Sequence, residues 1–99
     1  MPYRIEYSPE TEEHLRALTA RQRAIVLDAV EEQLGQRPTE ETRNRKPMRL
    51  NPLAPWELRI GSLRVYYEVE DGPEPTVVVL AIGVKLHNRV RIGREVIEL

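Results

Sequence analysis

The chain has 99 residues, no cysteine, a formal net charge of -1 and 31% charged residues, which describes one ordered domain with a small core. A single core of this size leaves no two-lobed cleft, so chemistry is expected on one sheet or helix face and no large cofactor is anticipated. Without cysteine there is no disulfide framework, Cys-ligated zinc or thiol nucleophile, and the usage suits a reducing cytoplasm. Met1-Pro2-Tyr3-Arg4-Ile5-Glu6 lacks a basic segment leading into an apolar one, and the longest apolar run, Val77 to Ile82, is far too short for a bilayer; the expected location is cytoplasmic, away from membranes.

Tyr3 to Tyr7 alternates apolar and polar residues and predicts a half-buried strand. Ser8 suits an N-cap and Pro9 the first helical position; Glu10, Glu12 and Glu13 complement the helix dipole in a helix running to about Leu18, with Leu15 and Leu18 buried. Thr19 and Gln22 have capping-box spacing, and Val26, Leu27, Val30 and Leu34 recur at helical intervals, predicting a second helix over about 20–34 that stops at Gly35 and Pro38. Residues 36–55 are polar and punctuated by Pro38, Pro47, Pro52 and Pro55, an extended connection with room for a short strand near Met48 to Leu50.

Trp56 to Ile60 and Leu63 to Glu70 alternate on either side of Gly61-Ser62, which predicts a two-residue hairpin. After a turn over 71–75, Thr76 to Ile82 reads as a central strand ended by Gly83, and the tail can add an edge strand. The fold class is α+β: a strand, a helical hairpin and then a mainly antiparallel sheet of about four strands, in the order β-α-α-β-β-β, forming a single domain over residues 1–99.

Charge is segregated along this frame. Arg43, Arg45, Lys46, Arg49, Arg59 and Arg64 stand against Glu57 alone, and Lys85, Arg89, Arg91 and Arg94 form a second segment without an acid. Folded onto one face they make an anion-binding surface; folded apart they are solvated charge runs, and charge alone leaves both open. The hairpin register places Trp56, Leu58, Ile60, Leu63, Val65 and Tyr67 on a core face and puts Arg59 opposite Arg64 on the other, beside Glu57, Tyr66 and Glu68. Two opposed guanidiniums require an anion between them, either a ligand or Glu57 and Glu68 at a wet surface. Trp56 and Tyr67 are expected in the core, which leaves Tyr66 as the base-stacking candidate. His14 is expected at the surface. His87 is either a solvated loop residue or the near-neutral titrating group of the second basic segment. No residue spacing matches a metal site or a phosphate loop.

Three features make the chain resemble the RelE/ParE superfamily of toxins from bacterial type II toxin-antitoxin systems: Tyr7-Ser8-Pro9-Glu10 before the helical hairpin, the segment from Trp56 to Val69 with its W-x-L-R-x-G-x-x-R-V-x-Y pattern, and a strand ending Ala81-Ile82-Gly83. The resemblance spans about residues 3–87. It implies a single RelE-like domain, a cognate antitoxin as partner, and no cofactor or metal. It also implies one of two activities: cleavage of mRNA on the ribosome, the leading reading, or non-enzymatic inhibition of DNA gyrase. A decayed toxin that only binds its antitoxin is the third possibility.

Matched by position, Arg64 is similar to a third-strand arginine at the scissile phosphate, Arg59 to a second-strand cation, Lys46 and Arg49 to cations of the preceding segment, and Lys85 and His87 to the group beyond the fourth strand. Glu57 departs from members carrying lysine there, the tail has no tyrosine, and Lys85 replaces an arginine. The expected catalytic set is Arg64, Arg59, Lys46, His87 and Lys85, with Lys46 as base amid neighbouring like charges and His87 as proton donor. Arg43, Arg45, Arg49, Tyr66, Arg89 and Arg91 are the expected RNA contacts.

Overall fold

The computed structural model describes residues 2–98. Strand β1 (Arg4–Tyr7) leads into helices α1 (Glu10–Arg16) and α2 (Ala20–Leu34), followed by β2 (Arg45–Pro47), β3 (Trp56–Ile60), β4 (Leu63–Glu70), β5 (Thr76–Leu86), β6 (Arg89–Ile92) and β7 (Glu95–Glu98). The capping box at α2 forms as the spacing dictates: the Thr19 hydroxyl accepts the Gln22 N–H at 3.1 Å and the Gln22 side chain accepts the Thr19 N–H at 3.0 Å.

The expected Ser8 cap does not form. Pro9 holds the cap position without a side-chain bond, while the Ser8 carbonyl accepts the Thr11 N–H and hydroxyl and its own hydroxyl donates to the Leu80 carbonyl. Gly35 keeps φ at -73°, so α2 ends without a left-handed residue, and the Gly35 carbonyl accepts the Tyr3 N–H at 2.7 Å.

The sheet runs β2-β3-β4-β5-β6-β7, with β1 parallel to the first half of β5 and β6 antiparallel to its second half. It has seven strands where the sequence suggested about four. Of the three further strands, β2 lies at Arg45–Pro47, just before the Met48–Leu50 stretch where a short strand was expected, because Pro47 and the Asn51-Pro52 turn end it there. Gly83 is the source of the other two, β6 and β7. It does not end β5 but lies inside it, opposite Ile92, where an added Cβ would stand 2.5 Å from the Arg91 carbonyl oxygen. Only a residue without a side chain lets β6 approach that closely. The tail then turns back at Gly93, with φ of 62°, to make β7.

The β3–β4 hairpin has the expected register, from Ile60↔Leu63 through Arg59↔Arg64 to Trp56↔Tyr67, and Gly61 sits at φ 57°. One sheet face packs on the helices through Leu58, Val65, Tyr67, Val77, Val79 and Ile82 against Leu18, Val26, Val30 and Leu34. Trp56 and Tyr67 stack with ring centroids 6.2 Å apart at the edge of this core, as their shared apolar face requires.

The opposite face is not simply wet. A second cluster of Ala54, Tyr66, Ala81, Val90 and Ile92, with Met48, Leu53, Leu80 and Ile97 against it, covers one end. A bulge between Tyr66 and Tyr67 re-aims the sheet there: Tyr66 faces Ala81 and Tyr67 faces Val79, so Leu80 is the extra residue. The uncovered remainder of this face holds Lys46, Arg59, Arg64 and Lys85. Among the described residues no helix is long and apolar enough to cross a membrane.

Candidate functional site

The segment 48–55 that covers the second core is shaped by Asn51. Its side-chain oxygen accepts the Leu53 and Ala54 N–H groups at 2.7 and 3.1 Å, and its amide donates to the Arg49 and Ala54 carbonyls, an Asx turn reinforced by Pro52 and Pro55. The Met48 N–H closes the segment onto the Pro55 carbonyl at 2.8 Å. The sequence showed this stretch as a proline-rich connection; the Asn51-Pro52 pair was the signal for the turn.

Beside this loop lies an open cleft of about 520 Å³, lined by Lys46, Pro47, Met48, Arg49, Leu50, Asn51, Glu57, Arg59, Arg64 and Lys85. Four separate pieces of chain supply its five cations: β2 and the following loop, β3, β4 and β5. Register explains the convergence, because Lys46 pairs with Glu57, Glu57 with Tyr66, Arg59 with Arg64, and Arg64 with Gly83, two residues before Lys85. Of the second basic segment only Lys85 is brought beside the cations of the first, and Arg43 and Arg45 of the first stand outside the cleft.

The opposed arginines are held by a carboxylate from their own sheet. Glu57 Oε1 accepts the Arg59 Nε–H at 2.7 Å, and Glu57 Oε2 lies 3.9 Å from Arg64 Nε. The Glu57 side chain is only 10% exposed, so of the two anions the register allowed, the carboxylate of the chain is present, but as a sheltered counter-ion and not at a wet surface. Glu68 takes no part and lines the neighbouring pocket beside Leu80. The Arg64 guanidinium, 14% exposed, donates through Nη1 to the Gly61 and Leu63 carbonyls at 2.6 and 2.9 Å, so the hairpin turn fixes it. Arg59 is 48% exposed and freer. Lys46 Nζ stands 3.5 Å from Glu41, so it is not left among cations alone.

Several expected contacts lie elsewhere. Tyr66 is fully buried in the second core and offers no ring for base stacking. Its hydroxyl lies beside Glu57 but makes no hydrogen bond of ordinary length, and burial, with the Glu57 charge second, pushes its pKa far above the usual phenol value. Arg45 points to the helix side, where it donates to the Gln33 carbonyl at 2.9 Å and the Glu40 carbonyl at 3.0 Å; it ties α2 and the following loop to β2. Arg89 and Arg91 pair with Leu86 and Val84, whose strand positions alternate with Lys85, so they project from the face opposite the cleft.

His87 occupies the exposed tip of the β5–β6 turn with φ 55°, outside the cleft lining, and Arg43 is exposed and likewise outside it. His14, expected to be a surface residue, accepts the Ile82 N–H at Nδ1, 3.3 Å away, in the gap along β5 between the end of β1 and the start of β6. Among the described residues no group of three or more His, Asp and Glu side chains is placed to hold a metal ion.

The fold has solved counterparts. A chain of the toxin-antitoxin complex RelBE2 from Mycobacterium tuberculosis is similar with a TM-score of 0.73 and 26% identity, over 86% of this chain and 100% of that one. No curated protein matches. The model of the family described as ParE toxin of type II toxin-antitoxin system, parDE, matches residues 5–87, which takes in both helices, the Arg59–Arg64 hairpin and the whole of β5. The chain belongs to this family of type II toxin-antitoxin toxins.

Proposed function

We propose that this toxin arrests growth in the cytoplasm as a ribosome-dependent mRNA endonuclease, silenced by a protein antitoxin. The observation that carries this reading is the convergence of Lys46, Arg49, Arg59, Arg64 and Lys85 on one open cleft of about 520 Å³. In the reaction a ribose 2′-oxygen bonds to the adjacent phosphorus while the bond from phosphorus to the 5′-oxygen breaks, leaving a cyclic phosphate and a free 5′-hydroxyl. Arg64, rigid on the hairpin turn, and Arg59 bind the non-bridging oxygens and stabilise the phosphorane charge. Lys46 takes the 2′ proton, for which its amine must leave Glu41 and enter the cleft among Arg49, Arg59 and Arg64. Lys85 protonates the leaving oxygen, the role first given to His87, because Lys85 lines the cleft and His87 does not. The ribosome supplies substrate orientation that a domain of this size lacks.

The test is a reconstituted translation system in which mRNA 5′ ends are mapped for the wild type and Arg64→Ala, with and without ribosomes. Cuts that need ribosomes and disappear in the variant support the reading; intact mRNA with wild-type toxin overturns it.

A second reading is inhibition of DNA gyrase without catalysis. It is favoured by the absence of any histidine from the cleft lining and by the ParE description of the matching family. Loss of supercoiling by purified gyrase in the presence of the toxin, with mRNA left intact, would establish it.

A further inference from the structure

Two features of the cleft stand unexplained by phosphate binding alone. A carboxylate, Glu57, lies between Arg59 and Arg64, bonded to Arg59 at 2.7 Å and facing Arg64 at 3.9 Å, in the place the proposed function gives to a phosphate. Behind it, the buried Tyr66 hydroxyl lies beside Glu57 but makes no hydrogen bond of ordinary length, a cost that folded proteins seldom leave uncompensated. Tyr66 pairs directly with Glu57 across the β3–β4 ladder, so the unpaired donor and the carboxylate share one face at neighbouring positions.

We propose that Glu57 is an internal counter-anion that closes the Arg59–Arg64 pair in the free protein, and that an entering phosphodiester displaces it onto the waiting Tyr66 hydroxyl. The inference rests on the reading of the cleft as a phosphate site and adds its regulation. In the closed state the chain itself places one negative charge between the two opposed guanidiniums, which lessens their repulsion across the hairpin. A phosphate carries more acceptor oxygens than one carboxylate and can take both guanidiniums at once. The displaced Glu57 then closes on the Tyr66 O–H beside it and accepts it in a hydrogen bond of ordinary length, which offsets the broken ion pair. Adventitious anions meet the full competition of Glu57; a polyanion that also engages Lys46, Arg49 and Lys85 overcomes it. Glu57 is thus a positioning and gating residue and not a proton carrier.

The test measures binding of a fluorescein-labelled single-stranded RNA heptamer by anisotropy at low salt, with circular dichroism confirming that each variant is folded. Glu57→Gln is expected to bind roughly fivefold more tightly than the wild type. Glu68→Gln, which removes the same charge from the same sheet face, is the control and is expected to change binding by less than about twofold. Tyr66→Phe is expected to weaken binding by about threefold in the wild-type background and to have no effect in the Glu57→Gln background, a coupling that lost packing would not produce.

Equal tightening by Glu57→Gln and Glu68→Gln, weaker binding by Glu57→Gln, or a Tyr66→Phe effect independent of residue 57 would overturn the proposal. Arg64→Ala separates the two levels of failure. If it abolishes RNA binding while Glu57→Gln does not tighten it, only the gating falls. If it leaves binding unchanged, the phosphate reading falls with it; if neither wild type nor Glu57→Gln binds free RNA, the gating falls, and the ribosome-dependent cleavage assay alone decides the phosphate reading.

Discussion

Tyr66 and Tyr67 are consecutive on β4 and both fully buried, yet they point into different cores, with the Tyr67 hydroxyl donating to the Pro38 carbonyl at 2.6 Å and the Tyr66 hydroxyl unpaired. One side chain anchors the long connection after α2; the other stands behind the cationic cleft.

Removing the two hydroxyls should therefore give opposite results. Tyr67→Phe strands the buried Pro38 carbonyl and is expected to cost about 1–3 kcal/mol. Tyr66→Phe removes a donor that has no partner and is expected to leave stability within about 0.5 kcal/mol of wild type, or to raise it. Urea denaturation of both variants checks the contrast, and equal losses would contradict the two-core arrangement.

Arg59 and Arg64 face each other but should differ on truncation. Arg64 is nearly buried and bonded to two turn carbonyls, so Arg64→Ala is expected to cost about 1–3 kcal/mol as well as abolishing toxicity. Arg59 is half exposed, and Arg59→Ala is expected to cost no more than about 1 kcal/mol while still reducing toxicity. Growth on induction, set beside urea midpoints, separates the two effects. Arg64→Lys should fail to restore toxicity, because an ammonium cannot reproduce the guanidinium fork.

Glycine at 83 and 61 is needed for different reasons. A Cβ at Gly83 meets the Arg91 carbonyl at 2.5 Å with Val90 and Ile92 side chains at 2.9 Å, whereas Gly61 has open space but φ of 57°. Gly83→Ala is expected to cost about 1–3 kcal/mol or more and to release protection from β6 and β7. Gly61→Ala is expected to cost about 1–2 kcal/mol with the ladders intact. Amide hydrogen exchange across residues 83–98 distinguishes them.

His14 links the fold to pH. Its pKa is held below the ordinary 6.5 chiefly by desolvation, against the upward pull of Glu13, Glu10 and Glu95. Below pH 6.5 the unfolded chain therefore binds more protons at this site than the folded one. The stability contributed by neutral His14 is complete above that pH and is lost as pH falls through the depressed folded value. Protonation also removes the acceptor for the Ile82 N–H. The urea midpoint should fall between about pH 7 and pH 5.5, and His14→Asn should flatten this dependence; an unchanged slope in the variant would assign it to other groups.

Much of this molecule was legible in one dimension. The α2 capping box, the β3–β4 hairpin and its register follow from residue types at fixed local spacing, and the register alone set Arg59 against Arg64. The site was legible only in part. Alternation on β5 and β6 decides which cations face the cleft, and Gly83, which resembles a strand terminator, hides the continuation that carries Lys85 inward and turns Arg89 and Arg91 away. Arg45 was lost to the site because its acceptors, the carbonyls of Gln33 and Glu40, become neighbours only when α2 packs on the sheet.

The sequence by itself determined the elements whose hydrogen bonds and hydrophobic periods close within a few residues, together with the family pattern those elements carry. Only the tertiary structure decided the burial of Tyr66, the sheltering of Glu57 between two arginines and the exclusion of His87. Each depends on which distant segment covers a given sheet face. That is fixed by long-range strand pairing, by the bulge at Leu80 and by one close backbone approach, none of which has a local spacing to read.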